Sequence, residues 1–343
     1  MMLRPMWNLS LMTVLTATAL VACGDDKGTS DTDGGSTAGT APVTSTNPSA
    51  SSTDEPTDGT DGTAGTAGGT EEATTTPTTS TDPTMGGDTA ADGEQCTANG
   101  DCASQGCLKF RDLEGGECVA APPGGNTRIA GTLVDFATQA PVPNAELRVI
   151  GALSALSDPA NAPPVITATA DAAGQVDVTS TTPISEGIGI VGIITGGDYY
   201  TSATGLASPT AGNYGPMNGN RDIWAVPSAK LTEWSGFLLT DPDLTTSLPL
   251  GEKGGVVGFV RDGTGAPKAG AKVVSVKGAT STAKIRYLAA DGMSFTSDVT
   301  SSNGIFILVG PGLAEKFKVE GGTVEGTAGS AEKAVFVMIL TEP

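Results

Sequence analysis

The chain has 343 residues, enough for two or three domains, but only 4% of them are aromatic and 48 are glycine. It carries 18 Lys and Arg against 38 Asp and Glu, a formal net charge of -20, and it contains no histidine. The missing histidine excludes Ser-His-Asp and Cys-His catalysis, His-ligated metal sites and imidazole pH switches. The acidic balance argues against a nucleic-acid partner, because phosphate binding needs clustered Lys and Arg.

The first 22 residues carry one positive charge, on Arg4, and an apolar stretch over residues 6–22 that is interrupted by Asn8 and Ser10. This stretch is too short and too polar to span a bilayer of roughly 30 Å comfortably. A basic start followed by a short apolar stretch is typical of a secretory signal peptide. We therefore predict that residues 1–22 are a signal peptide.

Residues 20–24 read LVACG, and this run resembles the lipobox of bacterial lipoproteins, with Leu20 three residues before Cys23. The resemblance implies that Cys23 is lipid-modified and becomes the first mature residue after removal of residues 1–22. Two or three acyl chains, at ~0.8 kcal/mol per buried CH₂, make such an anchor practically permanent. The alternative is an ordinary secretory signal that ends near a chance cysteine.

The segment 23–94 is an acidic linker made mainly of Thr, Gly, Asp, Ser, Ala and Pro. Its large apolar residues are Val43 and Met85, and it has no aromatic residue. Such a segment cannot bury enough apolar surface to offset its chain entropy, so we predict disorder. It holds 14 acids against one base, and as a flexible coil it would span roughly 45–50 Å. A glycosylated stalk and calcium binding by the Asp-Gly fragments at 31–34 and 58–62 are alternatives.

The residues next to Cys23 bear on the membrane that holds the protein. Position 24 is Gly rather than Asp, so the inner-membrane retention signal of enteric bacterial lipoproteins is missing. Asp25 and Asp26 resemble the acidic residues that mark lipoproteins for surface export in some Gram-negative groups. We expect an outer-membrane lipoprotein that faces either the periplasm or the cell exterior.

Four more cysteines follow the linker with the spacing C-x5-C-x4-C-x10-C, namely Cys96, Cys102, Cys107 and Cys118. An even number of cysteines in an exported protein predicts two disulfides within a small segment, residues 95–120. Zinc is the rival, but structural zinc sites usually contain C-x2-C pairs, and none is present. Each bridge that closes about a dozen residues contributes roughly 3 kcal/mol, whereas so small a segment has little core of its own. The pairing stays open.

An internal repeat covers the rest of the chain. Residues 129–135 (IAGTLVD) recur as residues 256–262 (VVGFVRD), with a matching Gly and Asp at an offset of 127. Residues 140–145 (APVPNA) match 266–271 (APKAGA), and residues 173–176 (AGQV) match 303–306 (NGIF). A repeat of this length predicts two copies of one structural module.

The repeated residues favour short strands separated by turns. Asp135 and Asp262 can accept backbone N–H groups and start a turn, while Asn144 and Gly270 both tolerate positive φ. Short apolar or alternating runs recur about every ten residues, which is the pattern of a β-sandwich. The predicted strands include residues 146–150, 165–170, 175–179, 188–194, 221–226, 272–276, 283–288, 294–299, 316–320 and 334–340. No long stretch with a 3.6-residue period competes.

The repeat resembles the carboxypeptidase regulatory-like domain, whose pattern is G-x-V-x-D, a Gly-x-Pro turn, G-A-x-V and a late D-x-x-G-x-F turn. The resemblance implies a transthyretin-like seven-stranded β-sandwich. The second copy, 254–343, matches at Gly258, Asp262, Gly265, Pro267, Gly270, Ala271, Val273, Gly304 and Phe306. The first copy, 127–250, diverges at Gln139, Asn144 and Val176. We expect an all-β chain with two tandem transthyretin-like or Ig-like β-sandwiches after the disordered linker and the disulfide-rich segment.

This resemblance implies accessory modules without a catalytic motif, cofactor or metal, so we expect that the protein is not an enzyme. The nearest enzyme-like feature is paired carboxylates, such as Asp171 with Asp177 or Asp241 with Asp243. Glycosidases use two acids at set distances across a sugar, whereas solvated surface acids are common in so acidic a chain. A carboxylate-dependent hydrolase is therefore the least favoured of three functional hypotheses.

The aromatic residues of the first copy are candidate ligand-binding residues, because transthyretin-like sandwiches are similar to starch-binding-like folds, where exposed rings stack on sugars. The candidates are Trp224, Trp234, Tyr199, Tyr200 and Tyr214. The alternative places Trp224 in the core, between Ile223 and Val226 of a strand. The leading hypothesis is a non-catalytic, lipid-anchored envelope protein whose modules mediate adhesion or structural contacts, and a carbohydrate-binding lipoprotein is the second. The expected partners are the membrane, through the lipid, and a glycan or an envelope protein.

Overall fold

The computed structural model describes residues 89–343, so the predictions for the signal peptide, for Cys23 and for residues 24–88 of the linker lie outside the described residues. The described part is built from 18 β-strands and two short α-helices, which confirms the all-β class. Within residues 89–343, no helix is long and apolar enough to cross a membrane.

The cysteine-rich segment is a small three-stranded antiparallel sheet in the order β1-β3-β2. Its strands are β1 (Gln95–Cys96), β2 (Cys107–Leu108) and β3 (Gly116–Cys118). Two disulfides hold it together, as predicted, and they join Cys96 to Cys107 and Cys102 to Cys118. Within the described chain, the grouping with metal-ligand spacing is Cys96, Cys102 and Cys118, and disulfides occupy all three sulfurs.

The same segment begins before the predicted boundary. The amide of Ala90 donates to the carbonyl of Asp101 at 2.7 Å, and the amide of Ala103 donates back to Ala90 at 2.9 Å. The amide of Cys118 donates to the carbonyl of Glu94 at 2.8 Å. Residues 90–94, which the sequence analysis assigns to the linker, are therefore part of the disulfide-rich fold.

The first repeat contributes seven strands and a short helix. They are β4 (Arg128–Asp135), β5 (Glu146–Gly151), α1 (Ala152–Ser157), β6 (Ile166–Thr169), β7 (Gln175–Thr179), β8 (Ile190–Gly196), β9 (Tyr199–Ala207) and β10 (Asp222–Pro227). Helix α2 (Ser228–Leu238) then leads toward the second repeat. Strand β9 was absent from the sequence prediction.

The second repeat contributes eight strands. They are β11 (Val256–Asp262), β12 (Val273–Ser275), β13 (Lys284–Leu288), β14 (Phe295–Thr296), β15 (Ile305–Val309), β16 (Glu315–Val319), β17 (Glu325–Ala328) and β18 (Val335–Glu342). Strands β12, β16 and β17 form a separate three-stranded sheet in the order β12-β16-β17. Strand β17 was also absent from the sequence prediction.

The repeat seen in the sequence is a repeat of hydrogen bonding. Strand β4 lies antiparallel to β7 and parallel to β10, and β11 lies antiparallel to β15 and parallel to β18. Gly131 lies opposite Val176 in the first copy, as Gly258 lies opposite Phe306 in the second. The matched residues therefore occupy equivalent positions in two equivalent strand pairs.

The turns after the first strand of each copy are also equivalent. The Oδ1 atoms of Asp135 and Asp262 each accept the backbone amide two residues further on, at 2.8 Å. Asn144 and Gly270 both have positive φ, 58° and 75°, which confirms the predicted backbone conformation. Both aspartates therefore stabilise the turn that leads into the next part of the module.

The two repeats are joined through a continuous sheet and shared cores. Residues 335–337 of β18 pair in parallel with residues 202–204 of β9. One hydrophobic cluster combines Ile150 and Ile193 of the first repeat with Phe306 and Phe317 of the second. The two repeats are therefore not independent domains, because each contributes side chains to hydrophobic clusters shared with the other.

Helix α2 lies against the second shared cluster, and the sequence analysis missed it. Its buried residues Leu231, Trp234, Ser235 and Leu238 follow the i, i+3, i+4, i+7 spacing of an amphipathic helix. They pack with Val257 and other residues of the second repeat. The helix has 11 residues, about three turns, so its 3.6-residue pattern is too short to stand out from the strand patterns on either side of it.

Candidate functional site

The structure buries both tryptophans that the sequence analysis nominates for ligand stacking. Trp224 is 2% exposed in β10, and Trp234 is 3% exposed in α2. Both rings meet Phe136 edge to face, at centroid distances of 5.8 and 6.1 Å. The prediction that these rings are available to a sugar is therefore wrong, and the core alternative for Trp224 is correct.

The three candidate tyrosines are half-buried, and their hydroxyl groups bind other parts of the protein. Tyr199 donates to Asp135 at 3.1 Å, Tyr200 to Glu252 at 2.9 Å, and Tyr214 to the carbonyl of Glu186 at 2.8 Å. Burial and the neighbouring carboxylates raise the pKa of all three hydroxyls to about 12.

The five aromatic residues do not assemble into one binding face. Tyr199 and Tyr214 pack against the core of the first repeat, whereas Tyr200 packs against the cluster that holds both tryptophans. The carbohydrate-binding hypothesis thus loses the aromatic platform on which it depends.

The conspicuous acids of the first repeat are used in local structure. Asp171 accepts the amide of Ala173 at 2.9 Å in a turn, and Asp177 accepts two hydrogen bonds of 2.6 Å from the Arg128 guanidinium. Each carboxylate is therefore held by its own local partner, in a turn for Asp171 and in an ion pair for Asp177.

The acids after α2 are used in the same way. Asp241 forms a 2.6 Å ion pair with Arg286 and also accepts the amide of Asp243 at 3.0 Å. The hydrogen bond from Arg286 holds the pKa of Asp241 below its usual range. A carboxylate held ionised in this way is a poor general acid, so this pair does not resemble a glycosidase site.

A charged cluster that the sequence analysis missed joins the cysteine-rich segment to both repeats. The side chain of Asp222, at the start of β10, is 1% exposed. It accepts Arg111 Nε at 2.6 Å and Arg261 Nη1 at 2.9 Å. Arg111 belongs to the cysteine-rich segment and Arg261 to β11, so one buried carboxylate binds all three parts of the described chain.

A second carboxylate and a third arginine extend this junction cluster, which we define as Arg111, Asp112, Arg221, Asp222 and Arg261. Asp112 accepts the amide of Arg221 at 2.7 Å and Arg261 Nη2 at 3.3 Å. Burial, followed by the nearby charge of Asp222, raises the pKa of Asp112 above its ordinary value. Burial also lowers the pKa of Arg221 to about 10.

The sequence contains one signal for this cluster. Arg261 lies in the otherwise apolar strand VVGFVRD, at the position where the first repeat has Val134. A charged residue at a buried strand position normally requires a partner, and here the partners come from residues far away in the chain. The sequence therefore indicates that Arg261 needs a partner, but it does not indicate which residue that partner is.

A cleft of about 740 Å³ lies beside the junction cluster, between the two repeats. Asp112, Asp222 and Arg261 line it together with residues of β8, β9, β17 and β18. Leu113, Ile188 and Val324 also line it, and they are among the large apolar side chains with the greatest exposure, 42%, 56% and 39%. A concave, mixed apolar and charged surface at a domain boundary is a common place for ligand binding.

Comparisons with known proteins do not place the chain in a family. No protein-family model matches it, and no curated protein matches it. The Bacillus anthracis TIE protein is similar at 11% identity over 63% of this chain, which spans 34% of the TIE chain, with a TM-score of 0.18. The shaft pilin SpaA from Lactobacillus rhamnosus GG is similar at 11% identity over 64% of this chain and 98% of the pilin, with a TM-score of 0.21. These scores are too low to transfer an arrangement or a function.

Proposed function

We propose that this chain is a non-catalytic, lipid-anchored envelope protein whose two β-modules mediate adhesion or structural contacts. The observation that carries the proposal is the junction cluster, in which Asp222 binds arginines from the cysteine-rich segment and from the second repeat. Breaking such a buried pair is costly, so the cluster fixes three segments of the chain as one rigid body. Rigid presentation of a surface suits recognition of another macromolecule.

The amino-terminal sequence suggests where this rigid body is located in the cell. The lipobox-like run ending at Cys23 supplies an anchor, and the acidic linker up to residue 89 supplies reach away from the membrane. The two disulfides fit an oxidising compartment outside the cytoplasm. Together these features favour a module displayed from the outer membrane, with the cell exterior as the side we propose.

The carboxylates support a structural role better than a catalytic one. Asp177 and Asp241 each form an ion pair with an arginine, and Asp171 holds a turn. The chain also lacks histidine, which removes the commonest general base. The hydrolase hypothesis therefore has no group of residues in its favour within the described chain.

The test compares attachment of intact cells to surfaces and to other cells. Three strains are needed: the parent, a strain lacking the chain, and that strain complemented with Cys23→Ser. We expect loss of attachment without the chain, and no rescue by the unlipidated variant, which should appear in the soluble fraction. Unchanged attachment in all three strains would contradict the adhesion role, and polysaccharide turnover by the purified chain would contradict the non-catalytic role.

A further inference from the structure

The parallel pairing between the two repeats ends inside the cleft. Strand β18 pairs with β9 over residues 335–337 and then continues to Glu342. Past Val337 its one hydrogen-bonded neighbour, among the residues that the structure describes, is β11. Met338, Ile339 and Thr341 of this half line the cleft. The strand therefore has an unpaired edge there, with backbone donors and acceptors free to bind another strand.

The opposite wall of the cleft offers space, and part of its strand edge is already hydrogen-bonded. The carbonyl of Leu206 in β9 already accepts the amides of Gly219 and Asn220, at 3.1 and 3.2 Å. Gly205, the residue before it, is exposed and lines the cleft, and a Cβ built on it would meet no atom within 4 Å. Glycine inside a strand often marks a place where another backbone approaches closely.

The side chains around this edge define the chemistry of the occupant. Leu113, Ile188 and Val324 provide exposed apolar contacts on both sides of the cleft. The charged residues that line it are Asp112, Asp222, Glu325 and Arg261. All four are already paired, because Arg261 binds both aspartates and Glu325 binds Lys316 at 3.0 Å. The cleft therefore suits apolar side chains, because the charged groups that line it already have partners within the chain.

We propose that the cleft binds an extended segment of a partner polypeptide, which adds as a strand to the open edge of β18 at residues 338–342. In such strand addition, backbone hydrogen bonds provide affinity and alternate side chains provide specificity. The partner segment carries apolar residues at alternate positions. This inference rests on the proposed function and deepens it, because it names the kind of partner that the displayed modules recognise.

The test uses the purified full chain and a synthetic library of peptides of about nine residues, which is within the usual strand length. The peptides alternate Val, Ile, Leu or Phe with Lys, Thr or Glu, and binding is followed by fluorescence polarisation. We expect binding by these alternating peptides, and none by control peptides of the same length in which Thr replaces every apolar residue. N-methylation of alternate peptide amides should abolish binding, because it removes the backbone donors that strand addition needs.

Two matched variants locate the site. Gly205→Leu places a side chain in the cleft without meeting any atom, while Gly263→Leu does the same in a turn that does not line the cleft. Neither glycine has positive φ, so both variants should fold. We expect Gly205→Leu to weaken peptide binding by about tenfold or more, and Gly263→Leu to leave it unchanged. Amides of residues 338–342 should gain hydrogen-exchange protection in the complex.

Several outcomes would overturn this inference. They are an absence of binding by every peptide, equal binding by Gly205→Leu and Gly263→Leu, and unchanged exchange at residues 338–342. Each is distinct from failure of the proposed function, since a chain that attaches cells but binds no peptide would keep the adhesion role and lose only the strand-addition site. Peptide binding without any effect on attachment would instead keep the site and remove the adhesion role.

Discussion

Replacing the buried carboxylate of the junction cluster should destabilise the protein far more than replacing a surface carboxylate with similar contacts. Asp222→Asn keeps the shape of the side chain but removes the charge that balances Arg111 and Arg261. The Asp222 side chain is 1% exposed, and that of Arg261 is 6% exposed, so water cannot replace the lost charge. Breaking a buried ion pair costs about 3–5 kcal/mol. Because Arg261 keeps Asp112 at 3.3 Å, we expect about 3 kcal/mol.

Equilibrium unfolding in urea, with the disulfides intact, measures this cost as the change in the free energy of unfolding. The control is Asp177→Asn, which removes an equally short pair with Arg128, at 2.6 Å, on the surface. Exposed pairs contribute no more than about 1 kcal/mol, so the control should have little effect. Adding Arg261→Met to Asp222→Asn should recover part of the loss, since it lowers the excess of positive charge that the first substitution leaves in the cluster. Equal effects of Asp222→Asn and Asp177→Asn would refute the role of the cluster.

Three other predictions concern pH, packing and the disulfides. The hydroxyls of the three half-buried tyrosines have a pKa of about 12 in the folded chain, against about 10 in an unfolded one. The stability that they contribute below pH 10 should therefore be lost between pH 10 and 12, and tyrosinate absorbance should rise at a higher pH in the folded chain than in the urea-unfolded chain. Gly258→Ala would drive its Cβ into the Phe306 ring and should lower the free energy of unfolding by about 1–3 kcal/mol, measured by urea titration. Adding Phe306→Val, the residue type at Val176 of the first repeat, should restore part of that loss. Replacing Cys96 and Cys107 by Ser opens a loop with a sequence separation of 11 and should destabilise the cysteine-rich segment by about 3 kcal/mol, seen as faster limited proteolysis there; unchanged cleavage would contradict this.

The parts of the fold that the sequence predicts are those set by nearby residues. The aspartate turns, the positive φ at Asn144 and Gly270, and the strand at 175–179 all follow from local preferences, and the structure has them. The repeat adds information because two copies with one pattern point to one hydrogen-bonding scheme. The transthyretin-like assignment stays a prediction, while the all-β class is confirmed.

The parts that the sequence does not predict depend on residues far apart in the chain. The seam between β9 and β18 joins residues more than a hundred positions apart, and no local pattern marks it. The sequence suggests an exposed Trp234 because the helical pattern around it is short, yet α2 directs the side chain into a hydrophobic cluster shared with the second repeat. The junction cluster shows the same limit, since Arg261 signals a need for a partner but not that Asp222 meets it.

Protease shaving of intact cells tests most directly whether the rigid unit is displayed outside the cell on its linker. We expect an added protease to cut within the linker and to release a fragment that contains residues 89–343, because the folded unit is closed by two disulfides and shared cores. A soluble periplasmic protein in the same cells should stay intact. A full-length chain that resists the protease until the outer membrane is opened would contradict display at the cell surface.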